Sequence, residues 1–151
     1  MIKIIASIFL ALVLCGVSAI AQSKTVVNDA NAKQMLLGKH LLTLQWISWD
    51  YFGSATVIDK KGVLHLKGEQ KQRNGSDYVR LDGIITEINA KDFTFDGEIE
   101  MQISHINGGA PCKRTGEMIF AITQKRKYWR LQQMDNPCDE AADYVDIYFR
   151  R

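Results

Sequence analysis

Cys112 and Cys138 are the residues whose chemistry is most constrained by position. The stretch between them, CKRTGEMIFAITQKRKYWRLQQMDNPC, reads as a β-hairpin with one cysteine just before its first strand and one just after its second. Both then sit at the same end of the hairpin and can bond. Closing a loop of about 27 residues stabilises a fold by ~3.5 kcal/mol in the chain-entropy account. There is no Cys-x-x-Cys spacing, so a structural staple is the expected role rather than a redox pair. The other reactive side chains form no catalytic constellation. His40, His65 and His105 are scattered, with neither metal-ligand spacing nor HExxH, and they read as structural or surface histidines. Asp96, Glu98 and Glu100 alternate along one strand and belong to its wet face, not to a glycosidase pair. Gly-x-Ser-x-Gly, P-loop and dinucleotide fingerprints are absent. We therefore expect no enzyme, no metal and no cofactor.

The compartment follows from the N-terminus. Lys3 precedes an apolar run, Ile4 to Val17, that is short of a membrane span, and Ser18-Ala19-Ile20-Ala21 supplies an Ala-x-Ala site. Residues 1–21 are expected to be a cleaved signal peptide, with 22–151 one exported domain, periplasmic or secreted, and no transmembrane segment. Leu12-Val13-Leu14-Cys15 resembles a lipobox, but Leu14 stands where a small residue is required, so Cys15 belongs to the discarded run. Export leaves two cysteines in an oxidising compartment, an even number ready to pair. The formal net charge of the whole chain is only +2, which excludes the strongly basic balance of a nucleic-acid binder.

The elements that must hold these residues are strands. Residues 22–27 read as a loose leader. Asn28 or Asp29 caps a short helix through about Leu37, which Gly38 stops. From Lys39 the pattern has period two. Strands are expected near 39–48, 53–60, 63–72, 77–88, 93–104, 113–123, 127–134 and 143–150, with a brief helical turn near Asp139–Ala142. The fifth is the plainest: Phe93, Phe95, Gly97, Ile99, Met101 and Ile103 alternate with polar residues, one buried face and one wet face. Eight strands with short connections predict an all-β fold, an antiparallel up-and-down barrel with the helix plugging one end. Gly68, Gly83, Gly97 and Gly116 share the inward phase, where glycine permits the bending a small barrel needs. In such a meander alternate loops share an end, so Cys112 and Cys138 meet.

The layout resembles the lipocalin (calycin) architecture. There a short helix closes one end of an eight-stranded barrel, strand one opens with Gly-x-Trp, and a late arginine packs over that tryptophan. Here the matching stretch is Gly38-Lys39-His40, with His40 in the tryptophan's place and Arg150 or Arg151 in the arginine's. The resemblance implies a non-enzymatic binding protein with a small apolar ligand at the open end. Trp46, Trp49, Tyr51, Phe52 and Met101 would line the site, and Arg114 would be its polar anchor. The alternative is a filled barrel, a protein-interaction or inhibitor module using the loops at the disulfide end. Lys60, Lys61, Lys91, Lys125, Arg126 and Lys127 fall at the plugged end, either as solubilising turn residues or as contacts for an anionic envelope surface or partner.

Overall fold

A computed structural model describes residues 22–150; the expected signal peptide, Cys15 and Arg151 lie outside them. The elements are β1 (Val26–Val27), α1 (Ala30–Leu36), β2 (Gly38–Leu44), β3 (Gly53–Lys60), β4 (Val63–Lys71), β5 (Tyr78–Ile88), β6 (Asp92–Gln102), β7 (Cys112–Ala121), β8 (Tyr128–Leu131) and β9 (Val145–Tyr148). From β2 to β9 each strand pairs antiparallel with the next, and β9 pairs back onto β2, closing an eight-stranded up-and-down barrel.

The predicted alternation is what closes the tube. Phe93, Phe95, Ile99 and Met101 of β6 point inward and are buried, as are Leu64 and Leu66 of β4 and Met118 and Phe120 of β7. At the plugged end the rings of Phe93 and Phe120 stack at 5.2 Å, and Trp129 packs edge-on against Phe93 at 5.9 Å and Phe149 at 4.6 Å. Mid-barrel, Gly83, Gly97 and Gly116 stand opposite one another across β5, β6 and β7. A Cβ on Gly97 would come within 2.6 Å of the Gly83 Cα and within 2.6 Å of the Phe95 ring. The absence of side chains lets two strands close up while that ring covers the gap.

Asp29 caps α1, its carboxylate accepting the Ala32 N–H at 2.7 Å. Gly38, at φ +103°, stops the helix and carries the chain into β2. The side chain of Arg150 lies against Gly38 and donates to the Gln34 carbonyl at 2.6 Å, so the late arginine does pack over the start of the first barrel strand. His40 is buried beside it. One ring nitrogen faces the Tyr148 carbonyl at 2.8 Å, the other the Leu36 carbonyl at 2.6 Å, and the ring sits edge-on to Trp129 at 5.8 Å.

Two expectations are corrected. The leader is not loose: Val26 and Val27 pair in parallel with Glu87 and Ile88, and Thr25 donates to the Ile85 carbonyl at 2.6 Å while accepting from Leu64 N–H at 2.9 Å. The reason lies in β5, which runs past its last β4 partner at Ile85 and offers backbone groups that the leader satisfies. No helical turn forms at Asp139–Ala142; an isolated bridge joins Asp135 to Ala142 instead.

Candidate functional site at the disulfide end

Four loops meet at one rim: residues 45–52, 72–77, 103–111 and 132–144. The Cys112–Cys138 disulfide ties the first residue of β7, just past the third loop, to the fourth, with Cα atoms 6.0 Å apart. Three further ties make this end stiff. Gln70, buried, accepts the Leu44 N–H at 2.7 Å and donates to the Tyr51 carbonyl at 3.0 Å. The Arg73 N–H donates to the Tyr51 hydroxyl at 3.0 Å while its guanidinium stands 4.3 Å over that ring. Asp77 accepts both the N–H and the hydroxyl of Ser104, at 3.0 and 3.2 Å.

Loop 132–144 folds down across the mouth. Arg114 occupies the inward phase of β7, and its guanidinium donates to the Asp143 carboxylate and to the Gln133 carbonyl. Asp143 is fully buried and also accepts the Trp46 indole N–H at 3.0 Å and the Asn136 amide at 2.9 Å. Asn136 in turn accepts the Cys138 N–H at 2.8 Å, and its amide lies 3.6 Å from the Met101 sulfur. Gln45 works like a short piece of strand, donating to the Ala142 carbonyl at 2.6 Å and accepting the Tyr144 N–H at 2.7 Å. Burial pushes the Asp143 carboxyl above its ordinary range, against the pull of Trp46, Arg114 and Asn136; burial likewise lowers Arg114. The pair is held by satisfied hydrogen bonds rather than by a favourable medium for charge.

The predicted site residues do not form one pocket. Trp46 and Arg114 meet at Asp143 beneath the loop, and Met101 touches the neighbouring Asn136. Tyr51 packs inward against the 72–77 loop. Phe52 turns to the outside of the barrel and packs edge-on to Tyr148 at 5.4 Å. Trp49 stands at the rim with 51% of its surface exposed. Sequence reasoning missed Asp143, Asn136 and Gln70. An arginine in the inward phase of a strand was the available signal, because a buried guanidinium requires a carboxylate nearby.

Clefts open on the outer face. One, about 670 Å³, runs over β3 to β7 and is lined by Lys67, Glu69, Arg80, Glu98, Glu100 and Lys113. These side chains are spent on one another: Lys113 reaches Glu98 at 3.0 Å and Glu100 at 3.1 Å, and Arg80 reaches Glu69 at 2.6 Å. The acidic stripe of β6 is thus a solvated ladder of cross-strand pairs. A second buried pair, Arg130 with Asp146 at 2.7 Å, lies on the outer face between Tyr128 and Tyr144.

The chain is 45% identical to the uncharacterized protein PM1083 of Pasteurella multocida (strain Pm70) over 147 residues, which covers 95% of each chain. No solved structure matches it. The PM1083 family profile matches residues 24–149, from the stitched leader through the last barrel strand, and the chain belongs to that family.

Proposed function

We propose that this protein is an exported, non-enzymatic barrel of lipocalin-like layout that binds another protein through the loops at its disulfide end. The observation that carries this reading is the filled interior. Inward side chains from the strands are buried against one another, and the Arg114–Asp143 pair with Trp46 caps them. An apolar ligand among Trp46, Met101 and Arg114 would have to displace that cap and leave a buried carboxylate unpaired. The rim, by contrast, is ready for contact. Its loops are cross-linked, so little ordering is lost on binding. Trp49 projects from it, and tryptophan is a frequent anchor of protein interfaces.

The test compares wild type with Trp49→Ala, each immobilised and exposed to proteins of the exported fraction. A partner held by wild type and lost from Trp49→Ala, at equal melting temperature, is the expected result. Native mass spectrometry of protein purified from its own source should give the bare polypeptide mass. A retained small molecule would instead return the function to the barrel interior.

A further inference from the structure

The opposite end of the barrel has a different chemistry. The β3–β4, β5–β6 and β7–β8 turns meet there, with α1, the chain entering from residue 22, and the chain leaving at Arg150. The three turns carry Lys60 and Lys61, Lys91, and Lys125 to Lys127. Among the described residues none of these cations makes an ion pair. Asp59 is paired with Lys33 at 2.8 Å, while Asp92, Glu87 and Asp29 accept uncharged N–H groups and keep their charge. Six turn cations, Lys60, Lys61, Lys91, Lys125, Arg126 and Lys127, therefore stand against three uncompensated carboxylates. The rim at the other end bears Asp50, Asp135, Asp139 and Glu140 against Arg73, its Arg114 being paired with Asp143. The barrel is therefore charged lengthwise, basic at the plug and acidic at the rim.

Apolar side chains are interspersed with the lysines. Val26 and Val27 are 54% and 39% exposed, and Met35 on α1 is 38% exposed. The cations are spread over three turns, and those that line clefts line different ones, Lys60 beside Ile58 and Lys127 beside Phe149. An acidic peptide or small anion would need convergence; a broad anionic plane needs only a basic end with a few apolar residues to sink into it.

We infer that the plugged end docks on an anionic phospholipid bilayer, with the acidic, disulfide-linked rim turned away from it. The inference stands apart from the rim-binding reading and does not need it.

The test uses the disulfide-bonded exported chain, residues 22–151, in co-sedimentation with phosphatidylcholine vesicles, with and without about one-third phosphatidylglycerol. Binding is expected with the anionic lipid and should weaken steeply as salt rises from about 0.1 to 0.5 M. Lys60→Glu, Lys91→Glu and Lys125→Glu combined should weaken it by more than about a hundredfold, at roughly fivefold or more per lysine, with the melting temperature unchanged. Glu140→Lys, at the far end, should leave it unchanged. Equal binding to neutral vesicles would assign attachment to the exposed apolar side chains alone and overturn the inference. So would a triple variant that binds like wild type, or retention by soluble polyglutamate without retention by vesicles, which would point to an acidic protein.

Discussion

Asp143 is fully buried, yet it carries the polar logic of the whole rim. Trp46, Asn136 and Arg114 all donate to it, and each comes from a different part of the chain. Removing one member of a buried pair leaves the other charge without a counter-ion, which costs about 3–5 kcal/mol. Arg114→Ala should lower stability in urea by that order, whereas Trp46→Phe, which removes one donor of three, should cost only about 1 kcal/mol. The sequence offered Arg114 as a polar anchor for a ligand; its carboxylate partner, 29 positions away, was not legible, because a loop's path over a barrel mouth has no periodic signature. Acid behaviour is also decided at single residues. The Tyr78 hydroxyl, then Lys113, hold the Glu100 carboxyl below its ordinary range, and Arg80 does so for Glu69. A carboxyl depressed on folding stabilises above its unfolded pKa and loses that contribution as pH falls through the folded value. Asp143 has the opposite sign: its carboxyl is raised, so protonation favours the fold as pH drops towards the ordinary range. Glu100→Gln should therefore lose less stability than wild type between about pH 6 and pH 3, measured as the shift of urea midpoint.

Among the elements, β6 shows how a strand can be read and where reading stops. Its alternation was legible because one face meets the core and the other meets water, and the inward glycines were legible because they kept that phase. What no pattern announces is that Gly83, Gly97 and Gly116 fall in one row. Gly97→Ala would drive a methyl into the Asp82 carbonyl at 2.4 Å and into the Phe95 ring. A drop of about 1–3 kcal/mol is expected from such overpacking, readable as a lowered melting temperature. The ends of β8 and β9 were harder. Residues 127–134 and 143–150 look equally extended, but only Tyr128–Leu131 and Val145–Tyr148 remain in the sheet. The chain between them peels away to reach Arg114 and Trp46. The leader failed for a related reason: a two-residue strand exists only because β5 has spare backbone to pair with.

At the scale of the molecule, the disulfide and the barrel explain each other. Replacing Cys112 and Cys138 by alanine should lower stability by ~3.5 kcal/mol, measured by urea denaturation, since the unfolded chain regains the entropy of an open loop. The fold class and the pairing of the cysteines were legible because both depend only on counting strands. A hollow interior was not decidable in that way, since filling depends on side-chain volumes meeting across eight strands. The closure itself rests on little. The β2–β9 ladder has three rungs, Leu42–Ile147, Thr43–Asp146 and Leu44–Val145, while β5 and β6 share a far longer one. The β7–β8 seam has only two, but the disulfide ties the start of β7 to the chain beyond β8. Both strands reach the same end of the tube, so tension applied to the two tails, once the leader has peeled from β5, would load those rungs one after another, as a zip is opened, rather than all at once in shear. Under mechanical pull the tube should tear along that line at low force, and unroll into a flat sheet still pinned by its sulfur bridge.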